Sequence, residues 1–533
     1  MKGMRPVHVA AALMLLAAPA AAQTAAPTTE KVDYDAIYKI KEEGFQHSQV
    51  MDTASWMTDV YGARLTGSPN LKAAGDWAVK TLTTWGASNA HLETWGDFGT
   101  GWQNDRFSAT VIAPNEWTIL GAPKAWTPGT DGPVTADAIY VPLNNDQDLE
   151  KWKGKLKGKI VLATPIREVK ASFDPLATRY TDDQLKKLEE IDPAGAGRRN
   201  YDRSQFLFAV KRIQFLAEEG VLAVFEPSRG DGGTLFVQQG GAYSATAQSF
   251  IRYPEHVPPQ VVLAVEHYNR LARTLDKNVP VQVELNIKNT TFPNQTAFNV
   301  IAELPGTDKA DEVVMLGAHF DSWHTGTGAT DNGAGSAVMM EAFRILKASG
   351  VKLRRTVRLA LWTGEEQGLL GSRAYVKNTF GDRETMTLKP AQSKITGYFN
   401  VDNGTGAIRG IYLQGNEAIG PVFEAWMAPF KSLGMTMETL QNTGGTDHLS
   451  FDAVGIPGFQ FVQDELEYDT RTHHSNMDVY DRLQAGDLMK DAVIVASFVY
   501  QAANREQMLP RKPLPKPEPA RPPQGATPAR ATN

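Results

Sequence analysis

Residues 296–504 predict an α/β domain: a mixed sheet with helices on both faces. Short apolar runs suited to buried strands alternate there with longer amphipathic runs. Four of the short runs, 313–318, 357–362, 398–401 and 456–462, lead into segments that carry His, Asp or Glu side chains. Open α/β sheets build their sites at such strand ends. Upstream, from Ile119 to about Leu285, β-branched runs such as Ala138–Val141, Ile160–Leu162, Val221–Phe225 and Val261–Val265 are separated by Gly and Pro clusters. That pattern predicts a compact β-rich module interrupting the domain.

Composition narrows the class. The chain has 533 residues, 42% of them hydrophobic and 21% charged, enough for two or three domains and unlike disordered, collagenous or coiled-coil sequences. Net charge is −6, or −8 without the first 22 residues, which carry Lys2 and Arg5, so no nucleic-acid surface is expected. Cysteine is absent. Thiol nucleophiles, disulfides and thiolate metal sites are therefore excluded, and any metal must be held by His, Asp and Glu.

The elements follow in order. Residues 1–22 combine a basic start, an apolar run from Val9 to Ala18 and Ala20–Ala22 before Gln23, the pattern of a cleavable export signal. The run is about half of the ~18 to 20 residues that span a bilayer, and no later segment is long enough, so a periplasmic or secreted protein with no membrane span is expected. Residues 23–118 read as the amino-terminal part of the catalytic domain, helix-rich from Tyr34 to about Trp117, with the turn Gly67–Pro69 before an amphipathic run from Ala73 to Trp85. The module spans 119–289 and is expected to fold independently. Within it, Thr181–Gln184 opens a short charged helix to Glu190, expected to cover the catalytic cleft. Residues 290–505 complete the catalytic domain. From Pro510 to Asn533 there are 8 prolines in 24 residues, so 506–533 read as a disordered tail.

The first strand of the catalytic segment ends at His319, Phe320 and Asp321, and a Gly/Thr-rich loop leads to Asp331 and a helix carrying Val338, Ala342 and Ile345 on one face. Alone, Asp331 would be a helix N-cap and His319 a core histidine. The second strand ends at Glu365 and Glu366, adjacent acids that call for a nearby cation when they follow a buried strand. The third ends at Asp402, and the fourth leads to His473 and His474. Two histidines and three carboxylates suit a pair of metal ions, one carboxylate bridging and each ion holding one His and one terminal acid. One acid of the adjacent pair is left to act as a base.

The stretches GAHFDSWHTGTGATDNGAG (317–335), RTVRLALWTGEEQGLLGS (355–372), GGTDHLSFDAVGIPG (444–458) and THHSNMD (472–478) resemble the co-catalytic di-zinc exopeptidases. The likeness covers nearly all of 296–510 and is fainter upstream, where the inserted module resembles a protease-associated domain. It implies a zinc exopeptidase catalytic domain interrupted by that module, with two zinc ions. Asp331 would bridge, His319 and Asp402 would hold one ion, and Glu366 and His474 the other. Glu365 would be the general base, and Asp321 the carboxylate that orients the His319 ring. His473 is a candidate extra donor to the oxyanion, or else merely crowded against His474. Val479 after Asp478 and His448 after Asp447 depart from the family pattern at positions that are not ligands.

The resemblance is nearest to the carboxypeptidase and dipeptidase branch, and it implies a short peptide or dipeptide substrate and a homodimer. An aminopeptidase of the same family remains open, because the same ions serve either end of a peptide. The pocket would need acids for a free amine, or Arg or Lys for a free carboxylate. A non-catalytic receptor is disfavoured because every ligand and Glu365 are present.

Overall fold

A computed structural model describes residues 30–190, 203–241 and 257–517. The expected export signal lies outside them. Among the described residues no helix is long and apolar enough to cross a membrane.

Among the described residues the core is a 14-stranded sheet. Its catalytic half runs, from the edge inward, through strands Met437–Thr439, Ile408–Tyr412, Gly458–Gln463, Ile395–Asn400, Lys309–His319, Arg355–Trp362 and Gln282–Leu304. The strands Gly458–Gln463, Ile395–Asn400, Lys309–His319 and Arg355–Trp362 are mutually parallel, while Ile408–Tyr412 and Gln282–Leu304 flank them antiparallel, which makes the sheet mixed. Side chains alternate between two cores as a pleated strand requires. Val314, Leu316 and Ala318 join Leu359, Leu361 and Phe399 beneath helices Ala334–Ala348 and Ala485–Asn504. Met315, Ala360, Trp362 and Tyr398 face the opposite way, toward Tyr375, Val376 and Phe451. Helices thus cover both faces, as the alternating runs predicted.

Beyond Gln282–Leu304 the same sheet continues through Val134–Tyr140, Ile160–Leu162, Ala223–Pro227, Gln260–Leu263 and Gly121–Pro123. The β-rich segment is therefore present, and the described residues from 32 onward form one compact unit. Two long antiparallel strands, Ser88–Ala113 and Gln282–Leu304, run through both parts, so the expected boundary at 289 falls inside a strand.

The first of these strands corrects the helix-rich reading of residues 34–117. Helices do occupy Tyr34–Gln46 and Pro69–Thr84, the latter capped by the Ser68 side chain with Pro69 in its first turn. Residues 88–113 are strand throughout. Gly96, Gly99 and Gly101, with Asp97, Asn104 and Asp105, lower the local β propensity and hid it. Several of these residues sit where the register shifts. Gly101 is needed for close approach, since a Cβ there would fall 2.0 Å from the Gly67 carbonyl oxygen.

Two further expectations change. The Asp182–Glu189 helix forms with the anticipated Thr181–Gln184 capping box. It packs its Leu185 against Met437 and Val462 at the sheet edge, and the described cleft-lining residues include none from 181–190. An amphipathic helix buries its apolar stripe on the nearest apolar surface, and the sheet edge at Met437 supplies it. The tail expected from residue 506 is docked over its first residues. Glu506 pairs with Arg354 at 2.6 Å, Leu509 is buried, Arg511 donates to the Gln392 and Ile395 carbonyls, and Lys512 reaches Asp452 at 2.6 Å.

Candidate metal centre

The parallel strands end level with one another: Trp362 pairs with His319, and Asn400 with Gly317. The residues that follow them therefore converge at one edge. His319 ends its strand and is 1% exposed. Its Nε2 lies 3.2 Å from Asp331 Oδ1 and 3.4 Å from Asp402 Oδ1. His474 Nε2 lies 3.1 Å from Asp331 Oδ2 and 3.0 Å from Glu366 Oε2. Each oxygen of Asp331 thus faces a different histidine and a different second acid. All five sequence-predicted ligands come together, and Glu365 and His473 line the same cleft of about 550 Å³.

Asp331 is not a helix cap. Its backbone is non-helical, the helix starts only at Ala334, and the side chain of the next residue, Asn332, accepts from Gly335 N–H at 3.0 Å. The other side of that amide donates to the Val401 carbonyl at 2.9 Å, tying the start of the helix to the strand end that bears Asp402. Asp478 fixes the Asp331 backbone, accepting from Thr330 N–H at 2.5 Å and Asp331 N–H at 3.3 Å.

Electrostatics and unmet hydrogen bonding both call for cations here. Burial pulls the His319 imidazole down, yet Asp402, Glu365, Asp321 and Asp331 together hold it well above the usual range. Burial also opposes His474, but Glu366 and Asp331 raise it to about 10. Burial and the neighbouring Asp331 push Glu366 up to about 7. Asp331 Oδ2 and Glu366 Oε1 are buried and accept no hydrogen bond. Buried carboxylates without donors are costly unless they coordinate metal. Two donor groups meet a metal's spatial requirement, His319–Asp331–Asp402 and Asp331–His473–His474. The second places His473 near the ions, its Nε2 3.8 Å from Asp331 Oδ2, with its ring stacked on Tyr468 at 4.6 Å. The residues therefore fit a pair of ions that share Asp331.

Asp321 takes a role different from the expected one. His319 Nδ1 lies 3.0 Å from the backbone carbonyl of Asp321, whereas its carboxylate is 3.7 Å away. The carbonyl accepts the Nδ1–H and leaves the Nε2 lone pair, on the side of Asp331 and Asp402, available to a metal ion. The carboxylate instead accepts from Thr66 Oγ1 at 2.9 Å, Glu365 N–H at 3.2 Å and Glu366 N–H at 3.3 Å. It shapes the turn that presents both glutamates. Asp321→Asn, which sets an amide NH₂ against N–H donors, is expected to weaken zinc affinity ~10 to 100 fold. Competitive zinc titration checks this, and parent-like affinity would leave Asp321 a simple turn residue.

Sequence reasoning missed three supporting residues. Trp323 Nε1 donates to Glu366 Oε2 at 2.7 Å, fixing the carboxylate that faces His474. Tyr468 lines the cleft beneath His473. Arg64, fully buried, donates to the backbone carbonyls of Phe320 at 2.7 Å, Thr327 at 2.9 Å and Gly328 at 2.8 Å, pinning the loop between His319 and Asp331. Its burial lowers it to about 10 despite nearby Asp478, Asp321 and Asp331. Trp323 and Tyr468 stand close in sequence to His319 and His473, but no spacing rule assigns an indole or a phenol to such a site, and none signals a guanidinium that arrives from a separate segment.

Residues 299–499 match the model of peptidase family M28. Carboxypeptidase Q of Mus musculus is 26% identical over 482 residues, covering 89% of this chain and 90% of its own length. Among solved structures, a peptidase M28 precursor from Shewanella amazonensis SB2B, 24% identical, covers 90% of this chain and 98% of its own with a TM-score of 0.64. A zinc aminopeptidase from Bacillus subtilis, 20% identical, covers 86% and 95% with a TM-score of 0.54. These two similarities show the shared fold.

Proposed function

We propose that this chain, whose residues 299–499 form a peptidase family M28 domain, is an exported, dimeric two-zinc exopeptidase that releases the carboxy-terminal residue of short peptides, free dipeptides foremost. The observation that carries the reading is the division of Asp331, one oxygen toward His319 and the other toward His474. In this reading His319 and Asp402 hold one ion, Glu366 and His474 the other, and Asp331 both. When bound, the zinc ions polarise the scissile carbonyl and make water acidic enough to ionise near neutral pH.

The side chains do the rest. Glu365 opens onto the cleft beside His319, Asp402 and Glu366. Burial of its carboxyl, with Asp402, Asp447 and Glu366 nearby and His319 opposing, raises it well above the ordinary carboxylate range. A more basic carboxylate is a better proton acceptor when it is ionised. Glu365 takes a proton from the attacking water at its carboxylate and returns it to the leaving amine. His473, held by its stack on Tyr468, faces the cleft as a further donor to the carbonyl oxygen.

Arg373 favours the carboxy-terminal end, being an exposed cation on the cleft wall beside Leu369 and Leu449. A terminal carboxylate fits a guanidinium, whereas a free amine does not. The experiment is a dipeptide panel, free, amidated at the carboxy terminus, or acetylated at the amino terminus. Free dipeptides are expected to be cleaved at least ~10² fold faster than their amides, because a site built for a charged terminus is left with unpaired groups by a blocked one. Arg373→Ala should raise KM for free dipeptides and leave kcat nearly intact. Equal cleavage of amides and aminoacyl-anilides would replace this reading with an aminopeptidase.

A further inference from the structure

The loop from Asp464 to Asp478 carries Tyr468, His473 and His474, and a single short helical turn, Tyr468–Thr472, is its only regular element. His319 ends a central strand, and Asp402 stands two residues past another, its carbonyl held by Gln460 Nε2 at 3.0 Å. Thr330 and Arg409 of the catalytic part hold this loop at Thr472 and Asp464, and the inserted part of the chain holds it at both its entry and its exit.

At the loop's entry, Asp464 is 1% exposed and accepts from Arg179 Nη1 at 2.8 Å, Tyr180 N–H at 2.9 Å and Arg409 Nη1 at 3.0 Å. Arg179 Nη2 reaches Asp487 at 2.6 Å. Thr178 and Leu466 exchange backbone hydrogen bonds at 3.1 and 2.8 Å, and Thr470 Oγ1 donates to the Leu176 carbonyl at 2.7 Å. At its exit, Val237 N–H donates to the His474 carbonyl at 3.0 Å, and Asn476 N–H donates to the Leu235 carbonyl at 3.0 Å. The Asn476 side chain accepts from Leu235 N–H at 2.7 Å and donates to the Gly233 carbonyl at 3.3 Å. Between these holds, His474 has a φ of 64°, a left-handed conformation that L residues adopt only when their surroundings impose it.

We propose that residues 176–180 and 233–237 of the insert form a two-point clamp on this loop, with Arg179, Val237 and Asn476 as positioning residues for His474. The inference rests on the two-ion reading above. It implies an asymmetry. His319 and Asp402 stand at or just past the ends of strands of the catalytic sheet, while the Glu366–His474 site keeps its full affinity only while the insert grips the loop. The insert thus governs metal loading without supplying a ligand.

The test uses the full chain with two separate variants, Asn476→Ala, which removes the two side-chain bonds, and Arg179→Met, which releases the entry. Zinc affinity is read by chelator competition, and hydrogen exchange is followed in the metal-free protein. In each variant one zinc should bind as in the parent and the second ~10 to 100 fold more weakly, the scale of losing a group that orients a ligand. Amide exchange should speed up over residues 464–478 and stay unchanged over 309–319. Parent-like affinity for the second zinc, or equal weakening of both accompanied by a lower Tm, overturns the clamp. A parent that binds only one zinc overturns the two-ion reading instead. Exchange then decides the clamp, which falls if residues 464–478 exchange as in the parent.

Discussion

Replacing Glu365 by Gln should lower turnover by at least ~10² fold while zinc content stays at the parent level. The substitution keeps the shape of the side chain and removes its capacity to take a proton. Neither donor group contains Glu365, and the turn that presents it is held through its backbone N–H by the Asp321 carboxylate, so the fold of the site should persist. The adjacent residue behaves oppositely. Glu366 Oε2 faces His474 at 3.0 Å, and Glu366→Ala should lose metal along with activity. Metal analysis beside steady-state kinetics on the two variants separates the roles. Zinc lost from Glu365→Gln and retained in Glu366→Ala would show that they are exchanged.

Asp331→Ala should have the broader effect, emptying both positions at once. Outer groups that merely orient a ligand cost ~10 to 100 fold in affinity when removed, and a ligand shared by two ions should cost more at each. His474→Ala, by contrast, should release one ion and spare the His319–Asp402 pair. Zinc per chain after passage through a desalting column distinguishes these outcomes, with circular dichroism confirming that each variant remains folded. One tightly held zinc in Asp331→Ala would mean that Asp331 serves a single ion.

The convergence of His319, Asp331, Glu365, Glu366, Asp402 and His474 was legible because each follows an apolar run short enough to be a buried strand or loops back to one. Parallel strands bring such ends to one edge whatever the intervening sequence does. What escaped is of a different kind. The Asp321 carbonyl, rather than its carboxylate, reaches the His319 ring, and a backbone atom leaves no trace in residue type. The strand Ser88–Ala113 was hidden by its own glycines and register shifts. The pairing of Leu235 with Asn476 joins segments 241 residues apart, beyond the reach of any local pattern.

The two long strands set the mechanical character of the enzyme. Ser88–Ala113 and Gln282–Leu304 are paired, with local register shifts, from Ser88 opposite Glu303 to Ala113 opposite Gln282. Enzymes that close around substrates usually do so on a few linker residues that absorb the rotation. Here the crossing is a hydrogen-bonded ribbon, and flexing it would break ladder bonds worth about 1 kcal/mol each. The crossing should accordingly resist bending, and the radius of gyration in solution should not change when a substrate analogue binds. Entry of peptide and departure of product then depend on local movement at the rim of the cleft, so turnover should show little sensitivity to solvent viscosity.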